Sequence, residues 1–230
     1  MTRRIVLGSL WTIGLFATLC HYVPVLKLAE VRVEGAVDGQ SQQLASLLER
    51  EIGSNLLDVD LEGWASRIAV HPAVASVRTR ITLTGRAVAH VTNERPVALV
   101  DTDPASGATR TGVLLPLGQH QPEDVVPLIT GVGGEPAYYV RSSSSRLSTA
   151  LAFLNIWQEH ADAEMPDLME IHVTSDSEVD VYLWPDRLYV RLGRGMWKET
   201  IQKLWPVLSR LAASERSLDL RFRGQVVEAI

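Results

Sequence analysis

The spacing of apolar residues changes period several times along the chain, and each change marks an element. In Leu28 to Gly35, LAEVRVEG, Leu28, Val31 and Val33 stand among charges and the run stops at glycine, which predicts a strand and a turn. From Gln40 to Ile52, Leu44, Leu47, Leu48 and Ile52 recur at helical spacing, with Gly53 in position to end the helix. A loop carrying Leu56 and Leu57 leads to a second helix, Leu61 to Val70, with Leu61, Trp64 and Ile68 on one face and Pro72 as its stop. The period then falls to two. Val77, Thr79, Ile81 and Leu83 point one way, and Arg78, Arg80, Thr82 and Thr84 the other. Thr84-Gly85 is the turn, Ala87, Ala89 and Val91 return on the second strand, and Pro96 ends the ladder because it has no N–H to donate. Strand, helix, helix, strand, strand makes a small α+β module with the helical pair over the hairpin.

The remainder reads as a second unit. Asp101 to Thr111, DTDPASGATRT, is a polar turn between strands ending near Val100 and beginning near Gly112, and short strands follow. Leu147, Leu151, Leu154 and Trp157 form a helical stripe, with Ser144 or Ser145 as N-cap. Three strands come next, Met169 to Thr174, Glu178 to Leu183 and Arg187 to Leu192, with turns at Asp176-Ser177 and Pro185-Asp186, which predicts a meander. A last helix, Met196 to Leu211, buries Trp197, Ile201, Leu204, Leu208 and Leu211 and is kinked or divided at Pro206. The chain closes on a strand.

Ahead of all this lies Ile5 to Leu26, IVLGSLWTIGLFATLCHYVPVL, with no charged residue except the weakly basic His21. At about 1.5 Å per residue in a helix, it just spans a hydrocarbon core of about 30 Å, so it predicts a single transmembrane helix. Arg3 and Arg4 immediately before it keep the short N-terminal end in the cytoplasm and send the bulk of the chain outside. A cleaved signal peptide and a lipoprotein anchor at Cys20 are the rival readings. They are weaker, because Leu19 is bulky where lipoprotein processing wants a small residue, and no small-x-small cleavage site precedes a polar start.

Composition narrows the function. Of 230 residues, 46% are hydrophobic, enough for real cores. The net charge of -5 and the scattered arginines argue against a nucleic-acid protein. A single cysteine excludes a disulfide framework or cysteine-based zinc site within the chain. None of the histidines, His21, His71, His90, His120, His160 and His172, pairs with another at a spacing of three or four residues, the usual geometry of a helix-borne metal site. DVDLEG, Asp58 to Gly63, lacks the later ligands of a calcium loop and reads better as helix capping by Asp60. Ser142 to Ser145 lacks nucleophile-elbow glycines, and GVGGE after Thr130 lacks the lysine and threonine of a phosphate loop. Trp64, Trp157, Trp197 and Trp205 lie mostly on helix stripes and read as core. No catalytic, cofactor or metal constellation survives.

Several runs together carry a resemblance. VRVEG, NLLDVDLEGWASRIAVHPAVASV and the hairpin ending ERPVAL, followed by PLITG (Pro127 to Gly131) and LDLRFRGQVV (Leu218 to Val227), resemble the bacterial cell-division FtsQ/DivIB family, in the family's order over nearly the whole chain. One departure is Leu83-Thr84 at the hairpin turn, where the family often has tryptophan-proline. The resemblance implies a cytoplasmic tail at residues 1–4, a transmembrane helix at 5–26, a polypeptide-transport-associated (POTRA) domain at 28–96, and a mostly antiparallel β domain with helices at 97–230. It also implies a non-enzymatic divisome scaffold of the bacterial inner membrane, with its C-terminal domains outside the cytoplasm at the division septum. Such a scaffold links early and late division proteins, with FtsB (DivIC) and FtsL types as direct partners and no cofactor, small-molecule substrate or nucleic acid. The alternative, a POTRA-bearing protein assisting envelope polypeptide translocation or assembly, is disfavoured by the single POTRA-like module and the absence of barrel-type strands.

For the partner site, SLDLRFRGQVVEAI is either buried by its own domain or available for strand addition. Both readings stand for Leu218, Leu220 and Phe222. The resemblance favours the second, since Phe222 matches an aromatic position beside the arginine of the family's DLR run. The expected partner-binding residues are Leu220, Phe222, Gly224, Val226, Val227 and Ile230.

Overall fold

The structure is a computed structural model and describes residues 27–36, 40–160, 165–185, 188–208, 217–221 and 227–228. The apolar run Ile5 to Leu26 lies outside them, as do Leu211 of the last expected helix and Phe222, Gly224, Val226 and Ile230 of the expected partner site. Among the described residues no helix is long and apolar enough to cross a membrane. The fold is mixed α+β, and the chain divides into two compact units between Asn93 and Glu94.

In the first unit the elements run β1 (Glu30–Glu34), α1 (Gln40–Ser46), a 3-10 turn (Glu49–Glu51), α2 (Leu61–Ala69), β2 (Val74–Ile81) and β3 (Arg86–Asn93). The sheet order is β1-β3-β2, with β1 parallel and β2 antiparallel to β3. Alternation holds on β3, where Ala87, Ala89 and Val91 enter a core shared with Leu28, Leu44, Leu48, Trp64 and Ile68. Trp64 is fully buried, and its indole N–H donates to Glu51 Oε2 at 2.6 Å, so the polar edge of the ring is satisfied. Asp60 caps α2, its Oδ1 accepting from Gly63 N–H at 2.8 Å, as capping rather than calcium binding requires.

Three expectations in this unit need correction. The helix expected over Gln40 to Ile52 breaks after Ser46: the Leu47 and Leu48 amides bond back only three residues, to Leu44 and Ala45. The change of winding turns Leu47 and Ile52 outward while Leu44 and Leu48 stay buried. Leu83 does not continue the inward row. β2 ends at Ile81, the Thr82 hydroxyl accepts from the Arg86 amide across the turn, and Leu83 stands at the tip with 83% of its surface exposed. The ladder ends at Asn93 rather than at Pro96, which is buried in the second unit against Gly107.

The second unit contains β4 (Ala98–Val100), β5 (Ser106–Ala108), β6 (Leu114–Pro116), β7 (Leu128–Thr130), α3 (Ser145–His160), β8 (Asp167–Ser175), β9 (Glu178–Trp184), β10 (Leu188–Arg194), α4 (Trp197–Leu208), β11 (Ser217–Asp219) and β12 (Val227–Glu228). The sheet order is β12-β11-β10-β9-β8-β7-β4-β5-β6, mostly antiparallel, with parallel pairs at β10·β11, β7·β8 and β4·β7. The stretch Asp101 to Thr111 is not a plain turn, because β5 runs through it. Its residues Ser106, Gly107 and Ala108 are small, poor strand formers, yet all are buried between β4 and β6.

Ser144 Oγ accepts from Leu147 N–H, so Ser144 is the cap of α3. The stripe of α3 is buried together with Ala150 and Phe153. Phe153 meets Trp197 of α4 edge-on at 5.7 Å between ring centroids, which packs the two helices over one face of the sheet. Pro206 does not divide α4 within Trp197–Leu208. The inward sheet residues are Ile171, Val173, Val179, Val181, Leu183, Leu188, Val190 and Leu192. Alternation therefore leaves Glu170, His172, Asp180, Tyr182, Tyr189 and Arg191 on the opposite face.

Candidate partner-binding surface

The C-terminal strands form one end of the second sheet. β11 lies parallel to β10, with Tyr189, Val190 and Arg191 opposite Ser217, Leu218 and Asp219. β12 pairs antiparallel with β11, with Leu218 opposite Glu228 and Asp219 opposite Val227. Among the described residues no strand pairs with the far side of β12.

Leu218 is buried in the core while the next residue, Asp219, emerges on the polar face. Asp219 is only 5% exposed and is held almost entirely by Arg221. The guanidinium Nε donates to Oδ1 at 2.9 Å and Oδ2 at 3.1 Å, Nη2 donates to Oδ2 at 2.5 Å, and the Arg221 amide donates to Oδ1 at 3.1 Å. These bonds, the side-chain ones above all, hold the Asp219 carboxyl below its ordinary value of 3.8 against the opposing effect of burial. Arg191 approaches the same carboxylate at 3.9 Å. The Arg221 stem passes over Gly193, where a Cβ would lie 2.9 Å from Arg221 Cγ. Gly193 also has φ +70° and sits at the bulge where β10 loses register with β9, so both the backbone and the packing require glycine.

The polar face continues across β10 and β9. Tyr189 donates from its hydroxyl to Asp180 Oδ2 at 2.5 Å, and burial, followed by that carboxylate, raises the tyrosine above its ordinary pKa. Tyr182 stacks on Tyr189 at 4.8 Å, and the Arg191 guanidinium lies 5.7 Å from the Tyr189 ring centroid. Further along, the Thr130 hydroxyl donates to Glu170 Oε1 at 2.6 Å and meets His172 Nδ1 at 2.8 Å. Among the described residues no cluster of three or more His, Cys, Asp or Glu is arranged to hold a metal ion. This face carries, among the described residues, guanidinium groups and a close pair of tyrosine rings, and at one end of the sheet no strand pairs with the far side of β12.

Of the residues expected to bind a partner, Leu220 is half-buried against the unit's own core, and its amide donates to the Arg191 carbonyl at 2.9 Å. Val227 stands in β12 opposite Asp219. Phe222, Gly224, Val226 and Ile230 lie outside the described residues. Sequence reasoning missed Tyr182, Tyr189, Arg191 and the Asp219–Arg221 pair. The alternation that set Val179, Val181 and Leu183 inward already put Asp180 and Tyr182 outward; only the register brings Tyr189 and Arg191 beside them.

The family model described as cell division protein FtsQ/DivIB, C-terminal, matches residues 106–221. A protein named cell division protein FtsQ from Anaeromyxobacter sp. (strain K) is 30% identical over 191 residues, covering 82% of this chain and 64% of that protein. Another of the same name, from Syntrophotalea carbinolica (strain DSM 2380 / NBRC 103641 / GraBd1), is 22% identical over 223 residues, covering 91% of this chain and 79% of that protein. The chain thus spans less than two thirds of the Anaeromyxobacter protein.

Proposed function

This chain belongs to the FtsQ/DivIB family of cell-division proteins, and on that premise we propose that it is a non-enzymatic scaffold of the divisome. It is held in the bacterial inner membrane by one helix over Ile5 to Leu26, with its N-terminus cytoplasmic and both folded units outside. At the septum it links early and late division proteins. The first unit is a POTRA domain that recruits the protein to midcell, and the second is the β domain whose C-terminal strands bind a FtsB/DivIC-type partner, alongside a FtsL-type protein. The observation that carries this reading is the place of β12 at one end of the second sheet, where among the described residues no strand pairs with its far side. An extended partner adds a strand there, with main-chain bonds giving affinity and alternate side chains giving selectivity. Leu220, Phe222, Gly224, Val226, Val227 and Ile230 are the proposed contact set.

The test is capture of the FtsB-type protein by the full chain in detergent. Val226→Pro leaves no backbone N–H at that position, and losing one backbone bond to the partner is expected to weaken capture by about threefold to tenfold. Phe222→Glu weakens it further. Unchanged capture by both variants, each with an unaltered circular-dichroism melt, overturns the assignment.

A further inference from the structure

We infer that the entry end of the first unit is a lipid-contacting surface, on which Leu57 and Leu83, with Ile52 beside them, seat in the headgroup layer of the membrane. This rests on the proposed anchor at Ile5 to Leu26. Leu28 is already in the core of the unit, with 1% of its surface exposed, only two residues after that apolar run ends. Two residues of extended chain reach about 7 Å at most. A bilayer of about 40–45 Å around a core of about 30 Å leaves roughly 5–7 Å of headgroup layer on each side. No linker therefore separates the unit from the membrane, and the parts of the unit flanking Lys27 to Ala29 lie at headgroup level.

Those parts are fixed by backbone hydrogen bonds. Leu28 N–H donates to the Ser54 carbonyl and Gly53 N–H to the Leu28 carbonyl, each at 2.8 Å, and Lys27 forms an antiparallel bridge with Asn55. Ala29 N–H donates to the Gly85 carbonyl at 2.7 Å. Two loops, Ile52 to Leu57 and Thr82 to Gly85, are thus fastened directly to the residues through which the chain enters. Both carry apolar side chains that the fold leaves in solvent: Ile52 at 47%, Leu57 at 69% and Leu83 at 83% exposure. Lys27, exposed between them, suits phosphate level, where a lysine stem lies along apolar surface and its ammonium stays wet. The exposed charges nearby, Glu49, Asp58 and the Glu30–Arg86 pair, are of mixed sign, so the contact is apolar seating rather than attraction to anionic lipid.

The fold supplies its own control. Val70 is 80% exposed but sits at the far end of the unit, just before Val74, where β2 begins its run of eight residues toward the Leu83 turn, about 25 Å away at about 3.3 Å per residue. The experiment uses the full chain with Cys20→Ala and one new cysteine at a time, Leu57→Cys, Leu83→Cys or Val70→Cys, each labelled with a small fluorophore. The protein is reconstituted into phosphatidylcholine vesicles with and without a lipid carrying a headgroup-level nitroxide quencher. The expected result is loss of most emission at Leu57 and Leu83 and none at Val70, unchanged when phosphatidylglycerol is added. Protein that floats with the vesicles yet shows no quenching at Leu57 and Leu83, or equal quenching at all three sites, overturns the surface and leaves the anchor standing. Protein that does not float overturns the anchor, and the surface with it.

Discussion

Replacing Asp219 by Asn tests whether the last strands are held by charge. Asparagine keeps the shape and one acceptor but removes the carboxylate that Arg221 grips at 2.5, 2.9 and 3.1 Å. Hydrogen bonds to a charged group contribute about 1.5–3 kcal/mol, but the Arg221 side chain is 45% exposed and its share is screened, so the expected loss is about 1–2 kcal/mol. It should appear as lower protection in urea-dependent hydrogen exchange of the Leu188–Arg194 and Ser217–Asp219 amides, because β11 pairs with β10. The pH dependence has a fixed sign. The folded pKa of Asp219 is depressed below 3.8, so its stabilisation is present above that value and disappears as pH falls through the folded pKa. The gap between parent and variant should therefore be constant from about pH 5 to 8 and close in acid. A gap that persists unchanged in acid, or no gap at neutral pH, refutes the reasoning.

Two further substitutions test the cores. Trp64→Ala removes a fully buried ring and one of the two donors held by Glu51, and should cost about 3–5 kcal/mol, seen as rapid proteolysis within the first unit while peptides from Glu94 onward stay protected. Equal protection of both units refutes it. Gly131→Ala places a Cβ 2.3 Å from the Val173 carbonyl oxygen at a φ of +79°, and should lower the stability of the second unit by at least about 1–3 kcal/mol in a urea titration. An unchanged midpoint would show that the backbone there yields.

Legibility followed the physics of period. The α3 stripe and the β8 to β10 meander were readable because long runs of Leu and Val alternate or recur without interruption, so only one face of each can be buried. β5 was not, because Ser106, Gly107 and Ala108 carry no strand signal and are buried by their neighbours rather than by their own hydrophobicity. The break after Ser46 was hidden for a similar reason. Leu47 and Ile52 fit a helical repeat, and nothing in the spacing shows that the chain tightens before completing it. At the candidate site the outward residues of each strand were legible, but which strands adjoin was not. The clustering of Tyr182, Tyr189, Arg191 and Asp219 follows from the parallel β10·β11 pair, whose strands are joined through α4.

The two ends of the nine-stranded sheet are not equivalent, and that difference bears on how a partner adds. At β6 the backbone is occupied: Leu114 bridges Tyr138, Val113 bridges Arg141, and Tyr139 N–H donates to the Leu114 carbonyl at 2.9 Å. Pro116, the last residue of β6, has no N–H to offer. At β12 the only described partner is β11, paired antiparallel through Leu218 with Glu228 and Asp219 with Val227. A sheet open at both ends can pass strand addition from copy to copy and grow. Here the β6 end is blocked, and among the described residues only the far side of β12 has no strand beside it, so addition can occur at a single end. On the proposed function this gives a one-to-one pairing with a partner strand, the stoichiometry a scaffold needs if it is to recruit a partner without polymerising.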